Sequence, residues 1–170
     1  MAKINVKGTD ITIIQIENAD YISLTDMAHS QMEEHVIIKW LSLKSTIEYI
    51  GEWEILFNPH FNYTEFGTIK NSAGSNNFVL SVKQWIEKTG AIGITAKAGR
   101  YGGTYAHKDI AFHFGMWISP RFQLLLENLN AVFINEGLPQ RERLIKLNRI
   151  AIQQMSVLQD VESRKVLKQN

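Results

Sequence analysis

The sequence predicts an α+β fold, in which a helical domain carries small antiparallel β-hairpins. Segments that alternate apolar and polar residues occupy the first 22 residues and recur at residues 92–106, as is typical of strands. Elsewhere, apolar residues recur at helical spacing behind capping signals. With 170 residues, of which 45% are hydrophobic, the chain is long enough to bury the core of one domain.

The N-terminal residues 3–22 are predicted to form a small β meander, because turn-forming residues separate three short apolar segments. Ser23-Leu24-Thr25-Asp26 then has the capping-box pattern, so a short helix should begin there. A longer helix is predicted through residues 40–50, with Gly51 ending it in the left-handed conformation. Asn58-Pro59 breaks the chain before another short helix at residues 66–73.

A second capping-box pattern, Ser81-Val82-Lys83-Gln84, opens a helix that Gly90 can end. Helical spacing divides this segment into two faces. The predicted buried face contains Val82, Trp85 and Ile86. The predicted outward face contains Lys83, Gln84, Glu87 and Lys88.

The alternation of residues 92–98 predicts a strand. One predicted side of it contains Ile92, Ile94, Ala96 and Ala98. A glycine-rich turn, Gly99-Arg100-Tyr101-Gly102-Gly103, leads into a return strand at residues 104–106, which completes a β-hairpin. Arg100 and Tyr101 would lie at its tip, with Lys97 close by.

Two amphipathic helices are predicted after the hairpin, one over residues 110–118 and one over residues 122–133, separated by Ser119-Pro120. We therefore assign residues 1–135 to one domain and residues 136–170 to a C-terminal amphipathic helical extension. Apolar residues of the extension step by three or four. Its apolar face needs a partner, which could be the domain, a second copy of the chain or another protein region.

Positive charge is concentrated in one segment of a chain whose net charge is only +1. Residues 66–108 contain a single acidic residue, Glu87. Their six basic residues are Lys70, Lys83, Lys88, Lys97, Arg100 and Lys108. The rest of residues 1–135 contains five basic and twelve acidic residues. This basic island favours a polyanion partner, because lysine and arginine neutralise phosphates.

Some classes of protein are excluded by composition. The absence of cysteine excludes a disulfide framework and a thiolate zinc site, and it fits a reducing compartment. The sequence shows neither a signal-peptide core nor an apolar run of the length that spans a membrane. We expect no membrane association, no cofactor and a cytoplasmic location in a bacterial or phage-infected cell, or a nuclear or viral-factory location in another host.

A short helix, a second helix with exposed Lys83 and Gln84, and an adjacent basic hairpin together look like a winged-helix nucleic-acid reader. Four segments also resemble the KilA-N domain of bacteria, phages and large DNA viruses. These segments are residues 21–28, 71–74, 81–90 and 99–111. The resemblance extends from residue 21 to residue 133, and its segments follow one another in the same order as in the family. The resemblance implies a DNA-binding module, similar in its wing to the fungal APSES transcription factors and common in phage and prophage regulators, including antirepressor-like proteins. The chain departs from the family pattern at His113, where an acidic residue is common.

The resemblance marks candidate DNA contacts in the wing: Lys97, Arg100, Tyr101 and Lys108. The helix-face argument adds Lys83, Gln84 and Lys88. Arg100 is the strongest candidate, because a guanidinium can bind a phosphate at two points or enter a narrow minor groove. Gln84 can either read adenine in the major groove or serve only as a helix cap. Tyr101 and Tyr105 can either stack on bases or pack across the sheet.

Three other functions stay open at this point. Gly99-Arg100-Tyr101-Gly102 matches the G-x-x-G loop of KH domains, which would indicate RNA or single-stranded binding, although a KH loop joins helices and not strands. Asp109 with His113, and His29 with Glu33, have the spacing of metal ligands but lack further ligands, so we expect no enzyme. The chain could also be an antirepressor-like protein-interaction module, in which the extension mediates assembly and the basic island binds an acidic protein partner.

Overall fold

The computed structural model describes residues 2–6, 9–28, 33–100, 102–147 and 149, and it confirms the α+β class. The strands are β1 (Ala2–Val6), β2 (Thr9–Ile16), β3 (Ala19–Ser23), β4 (Ile94–Lys97) and β5 (Gly103–His107). The helices are α1 (Leu24–Met27), α2 (Glu33–Leu41), α3 (Lys44–Phe57), α4 (Tyr63–Ser72), α5 (Val82–Thr89), α6 (Lys108–Ile118) and α7 (Pro120–Asn135).

The strands form one antiparallel sheet in the order β1-β2-β3-β5-β4, so the predicted meander and the predicted hairpin are both confirmed and are joined. The joint is the pairing of β3 with β5, in which Ile22 lies opposite Ala106. β4 occupies the edge of the sheet, with Lys97 opposite Gly103. The basic hairpin is therefore anchored by the N-terminal meander, 71 or more residues earlier in the chain.

Helix α5 confirms the prediction made from its capping residues. The Ser81 hydroxyl accepts the Gln84 N–H while the Gln84 side chain accepts the Ser81 N–H, and Gly90 ends the helix with φ +67°. Trp85 is fully buried. Local signals suffice here because each cap contacts only its own helix.

The single helix predicted through residues 40–50 is wrong, because the chain turns between α2 and α3. Leu41 and Ile47 are both fully buried, yet six helical residues rotate a side chain by about 240°, which would separate them on one straight helix. Gly51 does not end a helix either, since it lies inside α3. A Cβ at Gly51 would collide with the ring of Phe66, so glycine allows α3 and α4 to pack closely.

Of the four residues predicted to share the apolar side of residues 92–98, only Ile94 is buried. Ile92, Ala96 and Ala98 are exposed. β4 is an edge strand of four residues, and its distal end extends beyond the core. The hairpin therefore projects from the domain, and its outer part is accessible to a partner.

The main core lies where the helices cover the sheet. Trp40, Trp85 and Phe114 are its largest fully buried side chains, and Trp40 contacts Phe114 edge to face at a centroid distance of 5.1 Å. A smaller cluster contains Ile14, Tyr21 and Tyr105. Among the helices that the structure describes, none is both long and apolar enough to cross a membrane.

The C-terminal extension is helical over residues 140–147, as predicted for its first part. The Lys146 ammonium lies 5.8 Å from the centroid of the Phe133 ring, so this helix folds back beside the end of α7. The predicted helix over residue 148 and residues 150–170 lies outside the described residues. The domain boundary after residue 135 stays a prediction.

Candidate nucleic-acid interface

A groove of about 390 Å³ lies between the start of α5, the β4–β5 hairpin and α2. We call it the basic groove, and its walls contain Thr25, Ile37, Ile38, Ser81, Val82, Lys83, Ala96, Lys97, Gly103 and Thr104. Lys83 comes from the helix and Lys97 from the hairpin. The structure therefore brings two of the predicted contact residues into one concave surface.

Both lysines of the basic groove keep their charge accessible. Lys83 forms an ion pair with Glu87 at 3.8 Å, but the two side chains are 80% and 62% exposed, so water screens the pair. The Lys97 ammonium lies 5.8 Å from the centroid of the Tyr105 ring, a cation–π contact that orients the side chain while leaving the residue exposed. Both side chains are thus available to an anion.

Thr25 fixes the distal part of the hairpin against α1. The backbone N–H of Thr104 donates to Thr25 Oγ1 at 3.0 Å. Gly103 has φ +149°, and a Cβ on it would lie 2.9 Å from Thr25 Oγ1. Glycine is needed at this position because both the backbone conformation and the close approach of Thr25 exclude a side chain.

A buried carboxylate fixes the joint between α5 and β4. Glu54 is fully buried, and its Oε1 accepts the N–H groups of Ile92 at 3.0 Å and Gly93 at 2.6 Å. Asn58 Nδ2 donates both to Glu54 Oε2 at 2.9 Å and to the carbonyl of Gly90 at 3.0 Å. Burial raises the pKa of Glu54, and these hydrogen bonds oppose the rise. We call these hydrogen bonds of Glu54 and Asn58 the polar clamp. Because the clamp fixes the chain between α5 and β4, it constrains the position of Lys97 relative to Lys83.

A comparison with family models decides which kind of domain carries this groove. The model of the KilA-N domain matches residues 4–135, which include every residue of the basic groove. The chain belongs to the KilA-N family. KilA-N domains are generally DNA-binding domains, so the resemblance noted in the sequence is confirmed.

One relative of this KilA-N chain is an uncharacterized protein of fowlpox virus (strain NVSL), which is 27% identical over 116 residues. The match covers 68% of this chain and 60% of the fowlpox protein, so the chain spans about 60% of that relative's length. No solved structure matches the chain.

Gln84 has the capping role that the sequence left open. Its Oε1 accepts the Ser81 N–H at 3.0 Å. Two-point recognition of adenine needs both the Oε1 and the Nε2 of a glutamine, so it would compete with this cap. Base reading by Gln84 stays a prediction, and it requires the capping bond to be shared or broken.

The structure distributes the other predicted contacts over a larger surface. Lys88 is exposed in the last turn of α5, and Arg100 is exposed in the turn of the hairpin. Lys108 begins α6, five residues and about 16 Å along the chain from Gly103. The β4–β5 hairpin therefore has Lys97 and Arg100 at its distal end and Lys108 at its base, and Tyr101 lies outside the described residues.

Tyr105, Asp109 and His113 have structural contacts in this KilA-N domain. Tyr105 is 3% exposed and packs in the smaller core cluster, so stacking on a base is excluded for the folded hairpin. His113 Nδ1 accepts the indole N–H of Trp40 at 3.0 Å, and burial lowers the pKa of His113. Asp109 accepts the indole N–H of Trp53 at 3.2 Å. No cluster of three metal-ligating side chains occurs within the described residues.

The electrostatics of Asp109 follow from its neighbours. Burial alone would raise the pKa of Asp109, but the hydrogen bond and charge of His107, with smaller effects of Trp53 and Lys108, outweigh it and lower the pKa. The pair His29 and Glu33 cannot be compared, because His29 lies outside the described residues.

Sequence reasoning missed the residues that position the groove. Thr25 was assigned only to a capping pattern, and Asn58 only to a chain break. Glu54 carried no signal at all, since acidic residues on a helix usually face water. Sequence periodicity describes only neighbouring residues, so it could not reveal these contacts, which join residues 30 to 80 positions apart.

Proposed function

We propose that this chain is a phage- or prophage-type regulator that binds duplex DNA in a winged-helix manner, through the β4–β5 hairpin as the wing and α5 as the adjacent helix. One observation carries the proposal: Lys83 and Lys97 converge in the basic groove from these two elements. The protein would act as a binding protein and not as an enzyme, in the cytoplasm of its host cell.

The dimensions of the two elements suit a duplex. Eight residues give α5 a length of about 12 Å, and a helix of about 10–12 Å diameter fits the major groove. Its outer face carries Lys83, Gln84 and Lys88. Lys97 and Arg100 of the wing would then bind the flanking phosphates or the minor groove, since a wing contacts the backbone beside the helix site.

The proposal is tested by fluorescence anisotropy of the full chain with labelled duplex DNA, single-stranded DNA and duplex RNA at several salt concentrations. We expect the tightest binding to duplex DNA. Lys83→Ala with Lys97→Ala should reduce the slope of log affinity against log salt by about 2, because each lost phosphate contact removes about 0.9.

Lys44→Ala is the matched control, because Lys44 is an exposed lysine of α3 that is not in the basic groove. It should leave the slope within about 0.3 of the wild type. Equal slopes for the double variant and the control would contradict the groove assignment. Preference for RNA or single strands would support the alternative of a single-stranded nucleic-acid module.

A further inference from the structure

A second groove, of about 450 Å³, lies between α3, α6 and the start of the C-terminal extension. We call it the apolar face, and its walls contain Tyr49, Glu52, Trp53, Leu56, Phe57, Asp109, Phe112, Met116, Leu144 and Leu147. Leu56, Phe57 and Leu144 are 74%, 58% and 53% exposed. Large apolar side chains grouped in this way mark a surface that a partner covers.

The charge at the apolar face excludes nucleic acid as that partner. Its charged residues are Glu52 and Asp109, both acidic. Glu48 adds a third carboxylate one turn before Glu52 on α3. Within the described part of the chain, neither Glu48 nor Glu52 forms an ion pair. The partner should therefore combine an apolar stripe with basic residues.

The C-terminal extension of the chain itself has this composition. Residues 140–149 contain four basic residues and one acidic residue. Its apolar stripe begins with Leu144 and Leu147 and continues in the sequence with Ala151, Met155, Leu158 and Val161. Charge and hydrophobicity are thus complementary between the extension and α3.

The length of the stripe exceeds what the groove of one copy can cover. From Tyr49 to Phe57 the wall of α3 extends about 12 Å, and from Asp109 to Met116 the wall of α6 extends about 10 Å. A helical stripe from Leu144 to Val161 would extend about 26 Å. More than half of it lies beyond the groove, and a second copy offers the same kind of surface.

We propose that the chain forms a two-fold symmetric dimer through the apolar face, in which Leu144 and Leu147 of each extension stay beside α3 of their own copy and the apolar stripe beyond them packs on α3 of the other copy. A two-fold axis suits the charges, because each copy supplies both the acidic α3 and the basic extension. The dimer would hold two basic grooves at a fixed separation. This inference does not rest on DNA binding, so it can fail or succeed independently of the proposed function.

Sedimentation velocity of the full chain at about 50 µM tests the dimer. We expect the wild type at twice the chain mass of 19.5 kDa. Leu56→Glu on α3 and Leu158→Glu on the extension should each give the monomer, because both place a charge in the proposed contact. Val79→Glu is the matched control, since Val79 is 68% exposed but outside the apolar face, and it should remain a dimer.

Circular dichroism of each variant establishes that the monomeric variants are folded, which is expected because Leu56 is mostly exposed. A monomeric wild type would overturn the proposal. If that monomer loses thermal stability in the Leu158→Glu variant, the extension covers the apolar face of its own copy. A dimer that persists in folded Leu56→Glu would also overturn the proposal, because the contact would lie elsewhere.

Discussion

The basic groove and the apolar face differ in how their functional side chains are held. In the basic groove, exposed lysines are carried by a projecting hairpin and a short helix, and these two elements are fixed by the buried Glu54 and the partly buried Thr25. At the apolar face, the exposed Leu56 and Phe57 extend directly from α3, which packs into the core. Polar clamps position the first surface, whereas ordinary helix packing positions the second.

This difference separates the effects of substitutions. A change in a polar clamp should alter the position of the lysines and leave the exposed apolar residues in place. A change at the apolar face should leave the groove intact.

Glu54→Ala should produce the largest effect, because it removes the acceptor of three hydrogen bonds: those of the Ile92 and Gly93 N–H groups and one of the two that Asn58 Nδ2 donates. We expect the free energy of unfolding to fall by about 3 kcal/mol or more, since each buried unsatisfied donor costs about 1–3 kcal/mol. Urea unfolding measures the loss.

Glu52→Ala is the control for that variant, because Glu52 is exposed on the same helix. Its unfolding free energy should stay within about 0.5 kcal/mol of the wild type. A Glu54→Ala variant as stable as Glu52→Ala would show that the clamp does not hold the joint between α5 and β4.

Thr25→Val should have an intermediate effect, because it removes the acceptor of the Thr104 N–H while keeping the shape of the side chain. We expect a loss of about 1 kcal/mol in stability and weaker duplex binding in the anisotropy assay. Thr25→Ser keeps the hydroxyl and should bind like the wild type. A Thr25→Val variant that changed the sedimentation mass and kept the wild-type DNA affinity would contradict the independence of the two surfaces.

The smallest effect is expected at His113, which stacks on Tyr49 of the apolar face at a centroid distance of 4.4 Å. Burial lowers the pKa of His113 from 6.5, so as the pH falls below that value the unfolded chain binds a proton before the folded chain does. Stability should therefore decrease as the pH falls.

His113→Asn offers a non-titrating acceptor to the Trp40 indole. Its melting temperature should change less between about pH 7 and pH 5 than that of the wild type. Parallel pH profiles for the two proteins would contradict a lowered pKa for the half-buried His113.

The sequence predicted those parts of the fold whose determinants are local. The caps of α5, the meander and the β4–β5 turn each depend on residues a few positions apart, and all three are confirmed. The pairing of β3 with β5, the packing of Phe66 on Gly51 and the clamp of Glu54 depend on tertiary contacts, so periodicity could not reveal them. Likewise, the distribution of charged residues in the sequence located the basic island, but only the fold shows that Lys83 and Lys97 share one groove while Lys108 lies at the base of the β4–β5 hairpin.

The most direct test of the difference between the two surfaces is a titration of the isotope-labelled chain with duplex DNA, followed by backbone amide NMR shifts. If duplex DNA binds in the basic groove, the largest shifts occur at Lys83, Lys97 and Thr104. The amides of Tyr49, Leu56 and Leu144 at the apolar face should barely move. Shifts concentrated at the apolar face, or spread equally over both surfaces, would contradict the assignment of the basic groove as the DNA interface.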